Sequence, residues 1–143
     1  MNEELIFRFD VDGDDFTSAG HASVMVKKNL RQLGIDQEII RRVSIAMYEG
    51  EINMVIHAGG GTAEVKVSND YIEIILDDRG PGIADIDQAM QEGFSTAPDQ
   101  VRSLGFGAGM GLPNMKRYTD TMEITSTVGV GTKVVMRVYL KGA

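Results

Sequence analysis

Three stretches of this chain place polar residues and glycines in patterns that chemistry can use. Glu49 and Asn53 are four residues apart, so a helix carries them on one face, with His57 a further turn along. An Asn amide oxygen is a hard ligand suited to Mg²⁺, and a carboxylate beside it can take a proton from an attacking hydroxyl. The same spacing also fits a glutamate that only faces solvent, and nearby Glu51 shows how common acids are on this segment. The second stretch is Asp78-Arg79-Gly80-Pro81-Gly82, directly after the apolar run Ile72 to Leu76. An Asp at a strand end can accept a hydrogen bond from an exocyclic amine, and Gly80 and Gly82 let the chain turn beneath a flat base. Taken alone, the pentapeptide also fits an ordinary Pro-Gly turn. The third stretch is Gly105-Phe106-Gly107-Ala108-Gly109-Met110-Gly111-Leu112, immediately before a helical pattern. Its alternate glycines free backbone N–H groups at a helix start, which together make a phosphate cradle; the competing reading is a flexible linker.

Familiar phosphate motifs do not fit. The chain lacks the P-loop pattern GxxxxGK followed by Ser or Thr, and Met110 stands where a Rossmann GxGxxG needs its last glycine. The HRD and DFG elements of eukaryotic-type protein kinases are also missing.

The bulk composition narrows the classes further. A chain of 143 residues, 43% hydrophobic and 24% charged, has the size and balance of one globular domain spanning residues 1–143. A net charge of −7 argues against a nucleic-acid binder, which needs a clustered basic face. An acidic chain that binds an anionic nucleotide must supply local donors or a metal. No run approaches the roughly 18 apolar residues of a membrane span, and the first residues lack the basic start of a signal peptide. With no cysteine in the chain, disulfides and thiolate sites are excluded, and the expected location is the cytoplasm. Glycine is concentrated: 12 of the 17 lie between Gly59 and Gly131, marking loops that turn sharply or approach a ligand. The nine methionines, Met47, Met54 and Met115 among them, fit an adaptable binding surface or core filling around the helices, and core filling is the expectation.

The elements that must position these residues follow from periodicity. Leu5 to Val11 alternates as a strand with Leu5, Phe7 and Phe9 on one face. Phe16 to Leu33 is an amphipathic helix with Phe16, Ala19, Val26, Leu30 and Leu33 on its stripe, stopped by Gly34. Asp36 caps a second helix to about Ala58 that buries Ile39, Ile40, Val43, Ala46 and Met47. Ala63 to Val67 and Tyr71 to Leu76 form a hairpin across Ser68-Asn69-Asp70, and Asp77 to Gly82 is a turn. A short helix over Asp85 to Glu92, a glycine-rich loop, a helix from Leu112 to about Thr119 and the strands Met122 to Thr127 and Thr132 to Leu140 complete the chain. This order predicts a two-layer α+β sandwich, with a mixed, mostly antiparallel sheet and the helices on one face.

Taken in order, Glu49-x-x-x-Asn53, Asp78-x-Gly80-x-Gly82, the Gly105 to Leu112 run and Gly129-x-Gly131-Thr132 resemble the N, G1, G2 and G3 boxes of the histidine-kinase-like (Bergerat, GHKL) ATPases. Within that superfamily the chain is similar to the anti-sigma-factor serine/threonine kinases, closest to the switch-kinase branch. Asp78 to Ile83, Gly93-Phe94-Ser95-Thr96, and Gly111-Leu112-Pro113 followed by Lys116-Arg117 carry that likeness.

The resemblance implies ATP and Mg²⁺ as cofactors. It casts Glu49 as general base and Asn53 as the Mg²⁺ ligand. Asp78 becomes the acceptor of the adenine amine, with Gly80, Gly82 and Thr132 around the base. Gly105, Gly107, Gly109, Gly111 and Leu112 form the phosphate loop and lid hinge. Ser95 to Ser103 forms a mobile lid, within which charge and position single out Arg102 as a phosphate contact. It further implies phosphorylation of Ser or Thr on a STAS-type antagonist protein, with a sigma factor or a phosphatase as second partner. Homodimerisation is left open. The alternative is a non-catalytic switch, in which ATP orders a surface that captures a partner. His21 and His57 read as structural.

Overall fold

A computed structural model describes residues 5–12, 20–58, 60–78, 80, 90 and 111–140. Among them run β1 (Leu5–Asp12), α1 (His21–Gln32), α2 (Gln37–Ala58), β2 (Gly60–Val67), β3 (Tyr71–Asp78), α3 (Gly111–Arg117), β4 (Thr121–Thr127) and β5 (Gly131–Tyr139). The expected helix over Asp85 to Glu92, the lid Ser95 to Ser103, and the stripe positions Phe16 and Ala19 lie outside the described residues.

The strands form one sheet in the order β1-β2-β3-β5-β4, and every pairing is antiparallel. Register follows from alternation, because a slip of one residue would turn each apolar set to the wrong face. Ala63, Val65 and Val67 stand opposite Leu76, Ile74 and Ile72, and these in turn oppose Val134, Met136 and Val138. All nine are buried. The helices cover this face: α2 packs on β2 and β3 and is flanked by α1 and α3. The other face is polar and laced with ion pairs, Arg8 to Glu64 at 2.6 Å and Arg137 to Glu73 at 2.7 Å. The two-layer α+β expectation therefore holds.

Several boundaries moved. β2 starts at Gly60 and not at Ala63, so Gly60 and Gly61 are strand residues, and α1 starts at His21, with Gly20 at its N-cap, and not at Phe16. β3 runs on through Asp78, with Asp77 and Asp78 paired to Thr62 and Gly61, so the turn starts later than Asp77. Leu33 is 42% exposed: α1 ends at Gln32, and Gly34 at φ 75° swings the chain while Ile35 N–H donates back to Leu30 O. As expected, Asp36 Oδ2 accepts the Glu38 N–H at 3.1 Å and caps α2.

Candidate functional site

Helix α2 presents Glu49 and Asn53 to α3. Asn114 of α3 lies near enough to the Glu49 carboxyl to lower its pKa, and Asn53 Nδ2 donates to Met115 Sδ at 3.8 Å. Gly50 makes this approach possible. A methyl group there would overlap Leu76 Cδ1 on β3 and lie 3.2 Å from Met115 Cε, so α2, β3 and α3 meet at the residue next to Glu49. Glu49 is half-buried. Loss of solvation pushes its carboxyl above the ordinary value, and the Asn114 side chain opposes that shift. A carboxylate so treated is a better proton acceptor than one in water, the property a general base needs.

At the sheet end, Asp78 is the last residue of β3. Its Oδ1 accepts two backbone N–H groups at 3.0 Å, one from Gly80 just beyond the strand and one from Thr132 on β5. The first is an Asx-type turn; the second ties the carboxylate to the neighbouring strand. Thr132 is 7% exposed, and its hydroxyl shares a 2.9 Å hydrogen bond with Ser126 Oγ. Both of these bonds fall on one carboxylate oxygen, and among the described residues they fix the orientation of the group at the sheet end.

The structure therefore brings Asp78, Gly80 and Thr132 together, and separately sets Glu49 and Asn53 on one face of α2. Gly111 and Leu112 open α3, with Leu112 packed on the core. Gly82, Gly105, Gly107, Gly109 and Arg102 lie outside the described residues, and His57 falls in the last turns of α2. The Asn53 amide oxygen beside Glu49 fits Mg²⁺, which takes one or two protein oxygens and completes its shell with water and phosphate. No group of three His, Cys, Asp or Glu that could hold a metal is found among the described residues.

Sequence reasoning missed two residues and misjudged a third. Asn114 gave no signal, since its partner is distant in the chain. Gly50 looked like an ordinary helix residue. Glu51, which its sequence context groups with solvent-facing acids, is 3% exposed and accepts N–H groups from Gly20, Ala22 and Ser23 at 2.9, 3.1 and 3.1 Å. Its signal was position: Glu51 lies in line with Met47 and Met54, inside the buried stripe of α2.

The chain matches the histidine kinase-like ATPase domain family over residues 15–138. The serine/threonine-protein kinase RsbT of Bacillus subtilis is 32% identical over 138 residues, which cover 94% of this chain and 95% of that one. An anti-sigma F factor of Clostridium beijerinckii is 34% identical over 122 residues, covering 81% and 82%. A crystal structure of the RsbU and RsbW domains of a Mycobacterium tuberculosis protein matches 94% of this chain and 32% of its own with a TM-score of 0.65, at 15% identity, a likeness of fold. No described helix is long and apolar enough to cross a membrane.

Proposed function

The chain belongs to the histidine kinase-like ATPase family and is a serine/threonine protein kinase of the anti-sigma-factor type, acting in partner switching; on that premise we propose how its residues divide the work and which partners they serve. The chain is one domain over residues 1–143. ATP lies with its adenine at Asp78, whose carboxylate accepts from the exocyclic amine, while Gly80, Gly82 and Thr132 shape the pocket around the base. The backbone of Gly105, Gly107, Gly109 and Gly111, with Leu112 at the head of α3, cradles the phosphates. Asn53 offers the oxygen that holds Mg²⁺, and the metal, when bound, neutralises charge on the β- and γ-phosphates. Glu49 takes the proton of the acceptor hydroxyl as that oxygen bonds to the γ-phosphorus and the bond to the bridging oxygen breaks, leaving ADP.

The observation that carries this reading is the packing of Glu49 and Asn53 together against α3, the helix into which the glycine run feeds. Base and metal ligand then stand against the helix that the glycine run enters, where backbone N–H groups and the metal supply the positive charge that an acidic chain must find locally. The acceptor is Ser or Thr on a STAS-type antagonist protein. A sigma factor or a phosphatase is the second partner, exchanged according to nucleotide state, and the setting is the cytoplasm.

The test is transfer of label from γ-labelled ATP to a purified STAS-type protein, by the wild type and by Glu49→Ala. Transfer by the wild type, abolished in Glu49→Ala with Mg²⁺-dependent ATP binding retained, supports the assignment. Transfer that survives in Glu49→Ala removes Glu49 as the base. ATP-dependent partner capture with no transfer by the wild type would leave the binding switch in its place.

A further inference from the structure

We propose that Gly61 is a positioning residue for Asp78 and, through it, a determinant of the selectivity for adenine; the inference rests on the reading of Asp78 given above. Three consecutive glycines, Gly59, Gly60 and Gly61, follow α2, and a helix stop needs only one of them. Gly60 has φ 103°, so its backbone conformation asks for glycine. Gly61 is not among the residues with positive φ, so its conformation makes no such demand. What constrains it is its neighbour. A methyl group on Gly61 would overlap the carbonyl oxygen of Asp77 and lie 2.8 Å from Asp78 Cα and 3.1 Å from Asp77 C. These are backbone atoms, which cannot swing aside as the end of a side chain can.

The rest of the β2–β3 ladder shows how local this constraint is. Gly61 pairs with Asp78, while one rung in on the same face Ala63 opposes Leu76, and beyond it Val65 opposes Ile74. Side chains are accommodated at those positions, and only the rung that ends in Asp78 is closed to a β-carbon of its partner. From the other side, β5 grips the Asp78 carboxylate through the Thr132 N–H at 3.0 Å. Asp78 is therefore fixed between two strands, by a hydrogen bond from β5 and by backbone contact with β2. Added bulk at Gly61 pushes the end of β3 away from β2. That moves the carboxylate relative to a base held by the rest of the pocket.

The experiment compares Mg²⁺-dependent binding of ATP and of purine riboside triphosphate, which is ATP without its 6-amino group, by wild type and Gly61→Ala. A hydrogen bond to a charged acceptor implies that the wild type prefers ATP by roughly tenfold or more. In Gly61→Ala that preference should collapse toward parity, with the dissociation constant for purine riboside triphosphate moving less than about threefold, below the worth of one such bond. If both nucleotides weaken by the same factor and the preference survives, Gly61 serves only the fold and the proposal is overturned. If the wild type itself shows no preference for ATP, the reading of Asp78 fails and the proposal fails with it. Should Gly61→Ala be unfolded at 25 °C, the titrations are run in trimethylamine N-oxide, which restores burial and leaves the same outcomes to be read.

Discussion

Two glutamates of helix α2, Glu49 and Glu51, lie a residue apart in sequence and face opposite sides of the helix. Glu51 turns toward α1 and is 3% exposed, yet both its oxygens are used by the first turn of that helix. Glu49 turns toward α3, is half-buried, and has the Asn114 side chain near enough to ease its charge. A buried carboxylate met by several N–H groups at a helix start is a structural part, since the helix dipole and the donors replace the water it lost. A carboxylate that has lost water and gained little in return keeps an unmet demand for a proton. The two environments teach that burial does not mark the reactive acid; the balance between lost water and gained donors does.

The comparison can be broken most directly by exchanging the outcomes. Glu49→Ala should lower the rate of phosphotransfer by about 10²- to 10⁴-fold, the usual span for a general base, measured in single-turnover transfer from labelled ATP. Its folding stability should hold or rise at neutral pH. With the folded carboxyl raised above its unfolded value, the native state binds the extra proton, so stability falls as pH climbs between the two values, and the charged form at pH 7 opposes folding. Glu51→Leu should do the reverse. Three N–H groups at the head of α1 lose their acceptor, at about 1–3 kcal/mol for a buried unsatisfied group, and a total loss of about 3 kcal/mol or more should appear in urea titration. If Glu51→Leu folds as well as wild type and Glu49→Ala does not, the two roles have been assigned the wrong way round.

Smaller effects sharpen the contrast. Asp36→Ala removes the cap of α2, far from both acids, and should cost about 1 kcal/mol in the same titration with no change in transfer. Asn114→Leu should leave transfer nearly intact at alkaline pH but move the acid limb of its pH–rate profile upward. The Asn114 side chain lowers the Glu49 pKa, so without it the base protonates at a higher pH. A profile that stays in place would mean Asn114 does not act on Glu49.

What the residues disclose in advance divides along the same line. Periodicity reports which side of an element is buried, so the α2 stripe, the alternating strands and the hairpin across Ser68 to Asp70 were legible. So was the row Glu49–Asn53, since four-residue spacing fixes a shared face whatever surrounds it. Asp78 was legible as the acid that closes an apolar run, although the strand proved to extend through it. Periodicity is silent about partners. Glu51 meets atoms 28 to 31 residues earlier in the chain, and Asn114 acts on Glu49 from beyond β2 and β3. Gly61 shows the same gap in steric form: its requirement comes from β3, and nothing next to it in sequence states it. An acid inside an apolar stripe is the one local anomaly that pointed to such a partner.

The Glu51 contact also bears on how the chain assembles. Helix α1 has Gly20 at its N-cap and no side-chain cap of its own, and twelve residues is a marginal length for a helix in isolation. Among the described residues its first turn is completed by an acid from the following helix, so the contact couples the formation of α1 to that of α2. The amides of Ala22 and Ser23 are then reporters on the contact between the two helices: their exchange with deuterated solvent should speed up in Glu51→Leu, while the amides of the last turn of α2 exchange as before.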